Sequence, residues 1–158
     1  MGTGTAPQQR PSGSELNQLA VSATVHCLTG CAIGEVIGMA LGTALAWRNL
    51  TTTLAAIVLA FFFGYLLTAM PLLRAGMALS AVVPIALGSD TVSIVIMEAV
   101  DNAFILAIPG AINAGLGDFL FWASIAGGFA LAFGPAYAAN RYLIARGRGH
   151  ALMHEHHA

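Results

Sequence analysis

His26, Cys27, Cys31 and Glu35 sit close together inside an apolar run that extends from about Leu19 to Trp47. Such a run is longer than the roughly 20 residues that cross a bilayer, and ionisable groups at that depth are expensive and carry function. On a helix, residues three and four apart share a face. His26, Cys27, Gly30, Cys31, Gly34, Glu35 and Gly38 therefore form one stripe, with Leu28, Ile33, Val36, Ile37 and Leu41 mostly elsewhere. A second stripe collects Asp90, Met97, Glu98, Asp101 and Asn102 at helical spacing. Histidine with carboxylates suits zinc, manganese or iron, whereas thiols with a thioether and histidine suit copper(I) or zinc. The combined set His26, Cys27, Cys31, Glu35, Met97, Glu98 and Asp101 is a candidate site for a copper or zinc ion.

Charge sharpens the point. A charged residue at the centre of a spanning helix costs roughly 2.5 to 3.5 kcal/mol on insertion scales, so three lipid-facing carboxylates would exhaust a small protein's margin. The chain contains no lysine, and its arginines lie beyond the spans or, for Arg141, in the last turns of the fourth. Counter-charge must come from His26, from bound protons or from a metal cation. At 1.5 Å per residue, His26 and Cys27 lie roughly 11 Å inside the start of the first span, and Met97 and Glu98 a comparable distance inside the third. That register sets Cys31 level with Asp101 and Asn102 and Glu35 a turn deeper, and it draws the ionisable groups into one layer. The same stripes also allow proton-coupled chemistry, a purely structural or assembly role in which polar contacts specify helix packing, an organic ligand such as a quinone or haem, or a thiol-dependent redox role. The redox role is the weakest, because a Cys-x-x-x-Cys pair on a continuous helix does not easily reach disulfide geometry.

The elements that must hold these groups are helices. Of 158 residues, 58% are hydrophobic and only 8% charged, and the mean hydropathy is +0.79, whereas a soluble domain carries about one-quarter charged residues. The expected fold is all-α: an integral membrane bundle of four spanning helices with a short interfacial or half helix before the third. The spans are about 19–47, 54–73, 89–110 and 119–145, with a turn at 48–53 and the half helix at 76–88, punctuated by Pro84. Ser89 or Asp90 is the expected cap of the third span. Residues 1–17 read as a disordered polar segment, 18–146 as the membrane domain and 147–158 as a basic, histidine-rich tail. Ala44-Leu45-Ala46 has the form of a signal cleavage site, but the run before it is about twice the length of a signal peptide's apolar region and contains Glu35, so cleavage is not expected.

Gly30, Gly34, Gly38 and Gly42 recur every four residues and predict a close helix–helix seam, within the subunit or across a homodimer or higher oligomer. His150, His154, His156 and His157 form a possible accessory metal-capture segment in the tail. Counting spans from an inside N-terminus puts Arg10, Arg74, Arg141, Arg146 and Arg148 in the cytoplasm and Arg48 outside, so both termini are expected there. The formal net charge of −1 implies no attraction to nucleic acid. No phosphate-binding glycine loop, Ser-His-Asp set or HExxH motif occurs, so nucleotide binding has no support; a binding or transport protein is expected rather than an enzyme.

Thr24-Val25-His26-Cys27-Leu28-Thr29-Gly30-Cys31, Ile33-Gly34-Glu35, Met97-Glu98-Ala99-Val100-Asp101-Asn102, Pro109-Gly110-Ala111 and the run Asn140-Arg141 to His150 together resemble a membrane-protein family known as domain of unknown function 4396. The resemblance covers nearly the whole chain beyond residue 18. It implies a small multi-pass protein of the bacterial inner membrane and carries over no activity and no site residue.

Overall fold

The computed structural model describes residues 12–146, which form four long helices and one short 3₁₀ turn, with no strand among them. Helix α1 runs over Gly13–Ala44, α2 over Asn49–Arg74, α3 over Leu79–Ala107 and α4 over Phe119–Ala145, with the 3₁₀ turn at Ala111–Asn113. Each of the four helices is long and apolar enough to span a membrane. The histidine-rich segment 150–157 lies outside the described residues.

Local signals explain the boundaries. Ser12 opens α1 with a capping box: its hydroxyl accepts from the Glu15 amide, and its own amide donates to Glu15 Oε2 at 2.8 Å. The first helix therefore begins at Gly13, inside the segment expected to be an unstructured lead-in. At the other end of α1, Trp47 N–H donates to the Gly42 carbonyl at 2.8 Å and leaves Ala46 at φ 52°. At the end of α2, Met77 N–H donates to Leu72 and Gly76 N–H to Leu73, with Gly76 at φ 86°. Both ends are Schellman motifs, which reverse the chain tightly. The expected turn at 48–53 is correspondingly shorter, because α2 already begins at Asn49.

The half helix expected at 76–88 is not a separate element. Residues from Leu79 onward belong to a single α3 that continues through Pro84 and Gly88. Proline near the start of a helix removes one backbone donor, and spanning helices tolerate that where neighbouring groups compensate. Ser89 and Asp90 are consequently interior residues of α3 rather than its cap.

Asn17 near the start of α1 accepts from Tyr137 and Arg141 near the end of α4, and Asn49 at the start of α2 donates to Asn113 beyond α3. One end of the bundle thus carries the start of α1 and the end of α4 with Arg74, Arg141 and Arg146, and the other carries the α1–α2 and α3–α4 connections with Arg48. The glycine ladder closes the α1–α2 seam. A Cβ on Gly30, Gly34, Gly38 or Gly42 would run into Gly64, Ala60, Ala56 or Thr52 respectively. Every step of four along α1 is met by a step of four back along α2, an antiparallel small-residue seam. The ladder is therefore spent inside the subunit and presents nothing to a second copy.

Candidate functional site

The four helices converge on a carboxylate cluster in the turn-side half of the bundle. Glu35 comes from α1, and Glu98, Asp101 and Asn102 from α3; Glu35, Glu98 and Asp101 are all buried, Asp101 completely. Glu35 and Asp101 face each other within hydrogen-bonding reach. Glu98 faces Cys31 and accepts from Asn102 Nδ2 at 3.3 Å through one oxygen. Glycine makes the crowding possible: a side chain at Gly128 of α4 would collide with the Asp101 carboxylate. Ser124, one turn before Gly128, brings a buried hydroxyl to the same place.

Several of these polar atoms have no donor or acceptor opposite them. Glu35 Oε1, Glu98 Oε1, both carboxylate oxygens of Asp101 and Ser124 Oγ are buried without a hydrogen-bond partner among the described residues. Buried polar groups are nearly always satisfied, so a concentration of unsatisfied oxygens in one place requires an explanation. The cluster borders a cavity of about 100 Å³ that reaches past Met39, Thr52, Thr53 and Ile112 toward the turn side. A water needs only about 10 to 15 Å³ of such volume, so several fit. A second hollow of about 140 Å³ shares those four residues and adds Asn49 and Asn113, whose amide groups bond at 2.7 Å across it. Together they lead from a polar mouth at Asn49, Thr52, Thr53 and Asn113, through a largely apolar cavity, to the acids.

The remaining stripe residues stand elsewhere. His26 Nε2–H donates to the Leu67 carbonyl of α2 at 2.9 Å, and His26 lies near Asp90, which accepts from Ser89 Oγ at 2.9 Å and faces Thr68. Cys27 faces Ser93. Asn140 of α4 donates to Ser93 Oγ and to Thr24 Oγ1, both at 3.0 Å. This is a second polar layer, nearer the termini. Between the two layers lies an apolar septum of Cys27, Cys31, Ala60, Ile94, Met97, Ala132 and Ala136, all buried.

The expectation of a single layer is therefore corrected to two. Because α3 begins near Leu79 rather than Ser89, while α1 begins at Gly13 rather than Leu19, α3 shifts against α1 by about one turn. Glu35 pairs in level with Asp101, Cys31 with Glu98 and His26 with Asp90. Met97 packs in the septum. Among the described residues, no three of His, Cys, Asp and Glu converge as a metal-binding group.

Sequence reading left Ser124 and Asn140 out of the polar stripes, and it put Asp90 in the second stripe while also offering Ser89 or Asp90 as the cap of the third span. The signal was present: Ser124, Gly128, Ala132, Ala136 and Asn140 recur every four residues along α4 and are all buried. It is the same period that marks the glycine ladder, carried by residues of mixed type.

Residues 16–149 match the family described as a domain of unknown function, number 4396. The chain belongs to this family. No curated protein and no solved structure matches it. Family membership brings no activity with it, and the chemistry must be argued from the two polar layers and the septum.

Proposed function

We propose that this multi-pass membrane protein sits in the bacterial inner membrane and takes up and releases protons at the Glu35–Asp101 pair, the elementary step of a proton-coupled transporter. The observation that carries this reading is the opposition of two buried carboxyl groups with no donor between them. Two ionised carboxylates repel at that distance, whereas one proton shared between them gives each a partner. No lysine occurs in the chain and the arginines of the described residues stand at helix ends, so the protein supplies no competing cation. The turn-side hollows give water a way to deliver the proton. Glu98, held by Asn102 and flanked by Cys31, is the next acceptor inward. The excess of arginine at one end of the bundle supports an orientation with that end in the cytoplasm and the turn-side hollows on the outer face.

Infrared difference spectroscopy of the protein in lipid, stepped in pH, tests this. A protonated-carboxyl carbonyl band that appears and disappears with pH, and is lost in Asp101→Asn and Glu35→Gln, is the expected result. Absence of any such band in the wild-type protein overturns the reading.

Copper or zinc binding is a separate reading, favoured by one contact, that of the Cys31 thiol with Glu98. Thiolate with carboxylate is a ligand pair that zinc accepts. Elemental analysis of purified protein after loading with both metals decides it: stoichiometric metal, lost in Cys31→Ser, would replace the proton reading.

A further inference from the structure

The cavity beside the acid cluster continues into the turn-side hollow at Met39, Thr52, Thr53 and Ile112, and a second set of buried polar groups lies on the far side of the septum. Asp90 is 1% exposed and lies in the middle of α3. A carboxyl group at that depth is costly unless it is used or fully paired. The groups that face it come from three helices: His26 from α1, Thr68 from α2, and Ser89 from its own helix. Ser93, one turn along α3, faces Cys27 and accepts from Asn140 of α4, which also reaches Thr24. Asn140 stands five residues before the end of α4, and Thr68 six before the end of α2. At 1.5 Å per residue both are roughly 8 to 9 Å from the terminal face. Asp90 and Glu98 are eight residues apart on one helix, roughly 12 Å. The gap between them is spanned by Met97, Ile94 and the two thiols.

Resting on the proton reading above, we infer that Asp90 and His26 form the terminus-side station of the same path, so that the acid cluster and the Asp90 layer are two half-routes separated by the Met97 septum. Part of the layer ties helices together, since Asn140 bonds to Thr24 and Ser93, but those bonds do not call for an acid, and Asp90 puts one there at full burial. The helix seam is made by the glycine ladder, and Asn140 already ties α4 to α1 and α3. The step is a proton transfer alone: one O–H bond breaks at the Glu98 carboxyl group and one forms at the Asp90 carboxylate. Each carrier between them returns the proton that it accepts, and no electrons move. Glu98 is faced by Cys31 from α1 and by Asp101 and Asn102 from its own helix. The thiols are the polar atoms of the septum, and a small displacement of Met97 would admit water beside them.

Proton flux into liposomes, read with an entrapped pH-sensitive dye under an imposed potential, tests the inference, with the infrared carboxyl band followed on the same samples. Wild-type protein is expected to conduct above empty liposomes. Asp90→Asn and Ser93→Ala should each lower the flux at least tenfold while the band of the acid cluster persists, and Met97→Ala should raise the flux. Ser93→Ala keeps every carboxylate, so it guards against a folding failure of Asp90→Asn. If wild-type liposomes are no leakier than empty ones, or if both Asp90→Asn and Ser93→Ala conduct like wild type, the second station is refuted although the band remains. Loss of the band from the wild-type protein instead refutes the proton reading itself.

Discussion

Replacing Gly34 by alanine puts a methyl group into the tightest part of the α1–α2 seam. A Cβ there meets the backbone N and Cα of Ala60, and it stands 2.6 Å from the backbone carbon of Leu59 where ordinary contact begins at 3.4 Å. That carbon alone must retreat by 0.8 Å, the difference of those two values, and the Ala60 atoms by more. They belong to the main chain, so no rotamer change relieves the clash, and the helices must part by about 1 Å over a seam that has no side chains to refill the gap. Overpacking of this kind costs about 1 to 3 kcal/mol, and the backbone character of the obstacle places Gly34→Ala in the upper half. Alanine also gains about 1 kcal/mol over glycine in helix propensity. Gly134→Ala isolates that gain, since nothing lies within 4 Å of a Cβ there. The expected outcome is that Gly34→Ala is less stable than Gly134→Ala by about 2 to 3 kcal/mol, a shift of roughly 30-fold to 140-fold in the unfolding equilibrium. Titration of mixed micelles with a denaturing detergent, followed by helical circular dichroism, measures it. Equal midpoints for the two variants would refute the seam.

Further expectations follow from single contacts. Ala46 holds a left-handed conformation at φ 52°, which disfavours a β-carbon, so Ala46→Gly should raise stability by about 1 kcal/mol in the same titration. Asn140→Ala removes hydrogen bonds to both Ser93 and Thr24. Interhelical bonds in membranes average about 0.6 kcal/mol, so a loss of about 1 kcal/mol is expected, together with faster amide exchange near Thr24. Gly128→Ala drives a methyl group into the Asp101 carboxylate and should shift or split the pH-dependent carboxyl band while leaving the helical content intact.

Much of the fold is legible in the amino-acid order because a bilayer admits few solutions. Four apolar runs have to be four helices, and Gly30, Gly34, Gly38 and Gly42 have to meet a partner as bare as they are. What the order concealed was register. Pro84 and Gly88 look like breaks, and only the Schellman turn at Gly76, with helix resuming at Leu79, shows that α3 runs straight through them. The consequence reaches the site, since moving the start of α3 by ten residues changes which carboxylate stands opposite Glu35 and gives His26 to Asp90. Ser124 and Asn140 escaped for a different reason. They are single uncharged residues in an apolar helix, and their meaning comes from where α4 docks rather than from their own chemistry.

The central claim, that the buried carboxylates hold an exchangeable proton, is tested most directly by solid-state NMR of the protein in lipid with carboxyl-labelled glutamate and aspartate. Signals are assigned with Glu35→Gln, Glu98→Gln and Asp101→Asn. A protonated-carboxyl signal belonging to Glu35 or Asp101, which responds to the pH of the bathing medium, is the predicted result. Fully ionised signals from all three residues across the pH range in which the protein stays folded would contradict the account.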